Sequence, residues 1–364
     1  MKKTNEYQKS YLTVTPNSGH RIGHKLDDLI TGFILAEWYG LNYLHSPLPD
    51  KMWEDFFGFG EGETSFYKDF RKDLPIISCT PYLGVRYISP RFRFLFKHIE
   101  YLDYRIRYIL KKIPVKKISE WREPDFWEGS PFSYFKEIFE RNSEREVIFC
   151  FQRGKRVMLY QIYEWGQQGK VDSDLYLRVI EKLRTKYFSQ EHPKKFSYFD
   201  TSVISVAVHI RRDDASVENQ RFLPISYYKK LLSNLSKILA DKPHEFHVYS
   251  SGLDREMEEI QKELNPVSSQ LRYHPNESAM EAIHHMAIAD ILVVGNSSFS
   301  HWPGFLSSGI KLYHPHFHMF NLDENEWVEV KEDSSFNESH FISLLSSSQK
   351  GIDFSDTHAK LQAQ

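Results

Sequence analysis

The second half of the chain alternates between two kinds of segment with a regularity that few folds tolerate. Residues 203–209 (VISVAVH) form a continuous apolar and β-branched run. Helical spacing of apolar residues follows at 225–240, a strand-like EFHVYSS at 245–251, and a helix over 253–264 closed by Asn265-Pro266. A short strand at 270–274, a helix over 277–289, a strand at 290–296, a short helix ending at Gly309 and a last strand at 310–314 complete the series. Short connections between alternating strands and helices require parallel pairing with right-handed crossovers. Near-continuous apolar strands are those covered on both faces. The expected class is therefore α/β, with a doubly wound, Rossmann-like sheet in this half.

The first half repeats the theme more loosely. Tyr11–Val14 is strand-like, residues 16–19 (PNSG) are turn formers, and apolar residues at Leu26, Leu29, Ile30, Phe33 and Ile34 predict a helix from Ile22 to Tyr39 that stops at Gly40. A strand at 41–45 completes a βαβ opening. Residues 50–75 are rich in glycine and aromatics without a defensible period and read as a loop. The basic-aromatic stretch 90–113 reads as a solvated helix with snorkelling arginines. Residues 114–145 read as irregular, 146–152 as a strand and 175–188 as a helix. The polar, proline-containing 192–200 marks the expected boundary between an N-terminal domain (1–195) and a C-terminal one (196–364). The tail from 345 reads as frayed.

With 364 residues there is material for two cores. The 41% hydrophobic and 26% charged composition is that of a folded, soluble protein. A formal net charge of -2 offers no field for nucleic acid or an anionic membrane, so neither is an expected partner. Any anionic ligand must be gripped by local bases. The only two cysteines, Cys79 and Cys150, have no metal-ligand spacing and fit a reducing compartment, although one disulfide stays open. The N-terminal MKKTNEYQKS lacks an apolar signal core, and no stretch approaches eighteen apolar residues. The expected location is the cytoplasm.

Chemistry concentrates where strands end. The run 203–209 empties into His209, Arg211, Arg212, Asp213 and Asp214. The strand over 290–296 empties into Gly295, Asn296, Ser297 and Ser298 at a helix start. Ligands of open α/β sheets bind outside such carboxyl ends. An arginine fork opposite the hydroxyls and free N–H groups of a helix N-terminus fits a diphosphate. Taken alone, each half is explained as easily by a capped helix or by arginine–aspartate pairing. In the first half, the turn from Gly19 to Gly23 lets backbone approach a ligand at a helix start, with Arg21 and His24 beside it; a plain tight turn is an equal reading. His314, His316 and His318 alternate, but Pro315 and Phe317 favour a loop, and no metal site is expected. Of His284 and His285, adjacent on a helix, one is expected in the core and the other in solvent.

His209-Ile210-Arg211-Arg212-Asp213-Asp214 resembles the H-x-R-R-x-D motif of the GDP-fucose-dependent fucosyltransferases, whose α1,2-, α1,6- and protein O-linked branches share it. GNSSFSHWPGFLSSG (295–309) is similar to the N-S-S/T-F-S-x-W segment of the α1,2 branch, and Gly19-x-x-x-Gly23 to the superfamily's N-terminal glycine motif. The resemblance implies a GT-B fold of two Rossmann-like domains facing across a cleft. It implies inverting transfer of fucose from a GDP-fucose donor to a carbohydrate or other hydroxyl acceptor, with no cofactor and no obligatory metal. By position, Arg211 would stabilise the departing diphosphate, His209 would lie near ribose or guanine, and Arg212 and Asp214 would shape the loop. Asn296, Ser297, Ser298 and Phe299 would line the nucleotide, and Glu281 stands where relatives carry a guanine-reading carboxylate. The chain departs from the pattern at Arg21, where a further glycine is usual, and at Ala215 and Ser216. The base for the acceptor hydroxyl is left among Asp213, Asp214, Glu218 and His24. A GDP-mannose or heptose donor, or a non-catalytic nucleotide- or glycan-binding role, are the alternatives.

Overall fold

The computed structural model describes residues 10–16, 21–66, 74–79, 131–142, 144–152, 174–192, 199–200, 202–212, 222–252, 254–275, 277–315 and 324–351. The chain forms two compact units. One comprises Met1–Lys51 and Gly60–Leu175, the other Met52–Phe59 and Tyr176–Gln364.

In the first unit, β1 (Tyr11–Thr15), α1 (Ile22–Tyr39) and β2 (Asn42–His45) form the expected βαβ opening. The apolar residues that predict the helix, Leu26, Leu29, Ile30, Phe33 and Ile34, are all buried, and so is every residue between Leu26 and Ala36. It ends at Gly40, whose φ of 63° is left-handed and open to glycine without a Cβ penalty. The strands β3 (Thr64–Ser65), β4 (Ile76–Ser78) and β5 (Ile148–Gln152) complete a parallel sheet ordered β3-β2-β1-β5-β4. The helix α3 (Pro131–Asn142) lies inside the stretch expected to be irregular. Its Phe135 packs edge-on against Phe149, with 5.5 Å between ring centroids, so packing of a few aromatics decides what the weak pattern did not. Cys79 and Cys150 are buried free thiols, and burial pushes the Cys79 thiol up. The expectation for 90–113 lies outside the described residues.

The second unit claims α2 (Lys51–Phe57), a helix within the expected loop. Phe56 and Phe57 lie 5.6 and 6.1 Å from the ring of Tyr187, and Phe59 lies 6.3 Å from Trp302. These aromatics are core, not surface. Tyr187 belongs to α4 (Leu175–Phe188), and the compact units part between Leu175 and Tyr176.

Six parallel strands follow: β6 (Ile204–His209), β7 (His244–Tyr249), β8 (Leu271–His274), β9 (Ile291–Val294), β10 (Ile310–Tyr313) and β11 (Trp327–Glu329). Between and after them run α5 (Ile225–Ile238), α6 (Asp254–Leu264), α7 (Ala279–Ile288), α8 (Ser298–Leu306) and α9 (Glu338–Gly351). The expected last strand is thus not the last, and the expected frayed tail begins within a helix. Strand order is β11-β10-β9-β6-β7-β8. Counted from β6, this is the 3-2-1-4-5-6 order of the doubly wound fold, reversed in direction of reading. One face of the sheet is an aliphatic core: Val206, Val208, Phe246, Val248, Ile291 and Val293 pack with Leu231, Leu235 and Ile260. Residues of the other set are more polar, with Ser205, His209, His247 and Lys311 all buried.

Candidate functional site

The order of strands reverses between β6 and β9, and such a switch point opens a crevice at the carboxyl edge of the sheet. The two strands are pinned at both ends. At the amino end, the Asp290 carboxylate accepts from the Ser205 backbone N–H and hydroxyl, each at 2.8 Å. At the carboxyl end, Arg211 Nη1 donates to Ser297 Oγ at 2.6 Å. The sequence-predicted halves of the site therefore meet directly.

Ser297 caps α8. Its Oγ accepts from the Phe299 backbone N–H at 3.2 Å, and its extended backbone turns the chain into the helix. Ser300 Oγ donates to Gly295 O at 3.1 Å, tightening the same turn. Asn296, Ser297 and Ser298 are buried. The remaining N–H groups of the first helical turn and a guanidinium thus share one corner, the arrangement that favours an anion.

His209 closes the corner from the β6 side. It is 5% exposed, and its ring lies 5.5 Å from that of Phe299. Burial first, and the Arg211 charge second, push its imidazole down to about 3, so it is neutral at ordinary pH. Its Nδ1 is buried and finds no hydrogen-bond partner among the described residues. Nδ1 faces Gly295: a Cβ on Gly295 would stand 2.8 Å from it and 2.6 Å from the His209 carbonyl oxygen. Only glycine permits this approach of β9 to β6. Gly295→Ala is expected to push the two strand ends apart, with an overpacking cost of about 1–3 kcal/mol. Calorimetric unfolding checks it.

Arg212 points the other way, as successive residues leaving a strand do. It is 4% exposed, donates through Nη1 to Arg211 O at 2.7 Å and Leu223 O at 3.2 Å, and lies 4.5 Å from the Phe222 ring centroid. It holds backbone on both sides of residues 213–221. Of the two arginines, one faces the corner and the other secures its frame.

The structure places the remaining predicted site residues as follows. Asp213, Asp214, Glu218 and Gly19 lie outside the described residues. Arg21, Gly23 and His24 belong to the first unit, where Arg21 stands at the N-cap of α1 in extended conformation. Glu281 is engaged in a capping box: its carboxylate accepts from the Ser278 backbone N–H at 3.0 Å while Ser278 Oγ accepts from the Glu281 N–H at 3.2 Å. The S-x-x-E spacing of Ser278 and Glu281 carries that signal in the sequence. His314 lies 3.2 Å from Glu332, and His316 and His318 are outside the described residues. His284 and His285 are both buried, contrary to the expected division, because α7 is covered on two sides: His284 meets Tyr187 at 2.8 Å and His285 meets Glu277 at 3.0 Å. Among the described residues no three His, Cys, Asp or Glu side chains are grouped as metal ligands, and no helix is long and apolar enough to cross a membrane.

No protein-family model matches the chain, and no curated protein is similar to it. Solved structures are similar at a distance. POFUT1 in complex with GDP-fucose aligns over 85% of this chain and 98% of its own at 14% identity and a TM-score of 0.41. The E. coli ADP-heptose LPS heptosyltransferase II aligns over 45% of this chain and 50% of its own, at 15% identity and a TM-score of 0.30. The E. coli heptosyltransferase WaaC with ADP gives 14% and 0.29. At such values the likeness decides nothing about residues or chemistry. The α/β class rests on the two parallel sheets themselves.

Proposed function

We propose that the chain is a GT-B-type glycosyltransferase that transfers fucose from GDP-fucose to a hydroxyl acceptor with inversion. The observation that carries the reading is the 2.6 Å contact between Arg211 and Ser297, which builds an anion corner at the switch point. Sugar transfer breaks the bond between the anomeric carbon and a diphosphate oxygen and leaves negative charge on that diphosphate. A fixed guanidinium and the N-terminus of α8 are the groups that stabilise it, so the proposed reaction needs no metal ion. Neutral His209 offers the donor a hydrogen bond without adding charge. The acceptor proton goes to a carboxylate or imidazole within reach; Asp213, Asp214, Glu218 and His24 are the candidates. The H-x-R-R-x-D resemblance at 209–214 supports fucose as the sugar.

A second reading has one observation in its favour. The Glu281 carboxylate is held by the Ser278 N–H, so reading guanine with it would break a capping box. The observation favours a donor without guanine, so an ADP-heptose is the runner-up; GDP-mannose carries the same guanine as GDP-fucose and gains nothing from it.

The test is incubation of the full chain with GDP-fucose, GDP-mannose or ADP-heptose over a glycan array, with and without EDTA. Transfer of fucose that persists in EDTA is the expected result. Transfer from a different donor alone establishes the second reading. Stabilisation by a nucleotide, ~2.7 kcal/mol at 100 times its Kd, without transfer from any donor identifies a binding protein instead.

A further inference from the structure

Two buried histidines and a partly buried one lie beyond the anion corner, where β7, β8 and α7 meet. The side chains of His247 and His285 are 2% and 0% exposed, and that of His274 is 13% exposed. His247 and His274 form a chain between two carboxylates, and His285 stands beyond the second. His247 Nε2 faces Glu245 Oε2 at 3.5 Å, His247 Nδ1 faces His274 Nε2 at 3.1 Å, and His274 Nδ1 faces Glu277 Oε1 at 3.0 Å. The other oxygen of Glu277 lies 3.0 Å from His285 Nδ1. The rings of His247 and His274 are nearly parallel, at 16°, and Tyr249 stacks on His274 at 4.7 Å and 12°.

The protons of this chain can be counted. A carboxylate only accepts, and a neutral imidazole carries one N–H. Three links from Glu245 to Glu277 need three protons, yet two neutral rings hold two. The two short links are satisfied by protons on His247 Nδ1 and His274 Nδ1. The third, at 3.5 Å, falls outside ordinary hydrogen-bond length and is the link without a proton. In this two-proton arrangement His247 Nε2, facing Glu245, is the nitrogen that carries no proton.

Among the described residues, the charged groups around His247 come from β7, β8, α7 and the approach to each. Glu245 on β7 pairs with Arg272 on β8 at 2.6 Å, and Asp200 adds a weaker attraction to Arg272. Glu277, ahead of α7, is shared by two imidazoles. Burial, the neighbouring histidines and Arg272 push His247 down to about 3, and burial lowers His274 as well. These causes favour the neutral imidazole at neutral pH, and acid is expected to protonate it.

We propose that Glu245, His247, His274 and Glu277 form an acid-sensing site that takes up one proton from solvent at His247 Nε2 and closes the link to Glu245. The site stands independently of the glycosyltransferase reading. It is linked to the anion corner through one residue: Tyr249, stacked on His274, is the register partner of His209. The sign is fixed by the depressed value. The fold favours neutral His247, so its stabilisation is complete above the ordinary 6.5 and is lost as pH falls from there toward about 3.

Long-range nitrogen–proton spectra of the full chain labelled with 15N-histidine test the proposal, with His247→Gln assigning the resonance. The expected result is His247 protonated on Nδ1 at pH 8, with a titration midpoint about one unit or more below 6.5. An Nε2–H tautomer at pH 8, or a cationic ring at pH 7, overturns it. The glutamine amide can still donate to His274 but cannot titrate. The drop in thermal midpoint between pH 7.5 and pH 5 is therefore expected to be smaller in His247→Gln than in the wild type; equal drops overturn the proposal. If the variant fails to fold, the wild-type tautomer and midpoint decide alone.

Discussion

Arg211→Ala is expected to lower sugar transfer by about 10²–10³-fold or more and to weaken GDP binding, with the fold intact. The guanidinium of Arg211 is the fixed positive charge in the corner formed by β6, β9 and α8, and its 2.6 Å bond to Ser297 holds it there before any ligand arrives. A donor held in advance of the reaction loses no reorganisation energy when charge develops on the leaving diphosphate. Stability is held by other bonds. The Ile210 N–H donates to Tyr249 O at 2.9 Å, and the Arg211 carbonyl is gripped by Arg212, neither of which the substitution removes. Arg211→Lys keeps the charge but loses the planar fork, so it is expected to fall between alanine and wild type. Loss of Arg211 also removes the smaller of the two causes that depress His209, and the imidazole rises slightly while burial keeps it neutral. Steady-state transfer kinetics and GDP titration read these effects. A variant that transfers at the wild-type rate would remove Arg211 from the reaction.

Much of the second unit was legible because its strands and helices carry local signals that agree with the packing. The helix starts at Ser278 and Ser297, the glycine at 295 and the apolar runs of β6 and β9 all point to one topology. Arg211 and Ser297 were legible as partners because both follow strands in a parallel sheet. What the pattern hid is decided by contacts far apart in sequence. Phe56, Phe57 and Phe59 lack a period of their own and become core only when Tyr187 and Trp302 cover them. β11 is three residues long and reads as strand only beside β10. Glu281 looked like a ligand-reading acid because its family position outweighed its local spacing, yet the capping box was written in Ser278. The histidine chain had no linear signal at all, since its members come from two strands and the approach to a helix.

The largest expected change in stability lies at the far end of α8, where a buried lysine explains why α4 belongs to the second unit. Lys311 is fully buried on β10, with Nζ 2.5 Å from Glu326 Oε2 and 3.1 Å from the carbonyl of Ser307. Arg184 on α4 reaches the same carboxylate through both Nη atoms, at 3.3 and 3.1 Å, and also donates to the Phe305 and Ser307 carbonyls at 3.2 and 2.9 Å. Burial alone would raise the Glu326 carboxyl, but Lys311 and Arg184 outweigh it and hold it below its usual range. Two cations thus converge on one anion, Arg184 also pairing with Glu181 at 3.3 Å, and together tie down the C-terminal carbonyls of the helix whose N-terminus forms the anion corner. Removing one partner of a buried pair leaves an uncompensated charge, so Glu326→Ala is expected to cost about 3–5 kcal/mol. Lys311→Met is expected to cost less, because Glu326 keeps Arg184 and the new side chain can pack on the Trp327 ring that Lys311 Nζ faces at 5.3 Å. The double variant separates charge from shape: with no ammonium left to strand, it is expected to be more stable than Glu326→Ala alone. The pH dependence has a fixed sign. A carboxyl depressed in the fold stabilises it above the unfolded value and stops doing so as pH falls through the folded one, so the wild type loses this contribution in acid and Glu326→Ala has none to lose. Calorimetric unfolding of the three variants between pH 7 and pH 4 measures all of this, and because α8 links the two ends, GDP affinity in Glu326→Ala at pH 7 is expected to fall with the stability of its helix.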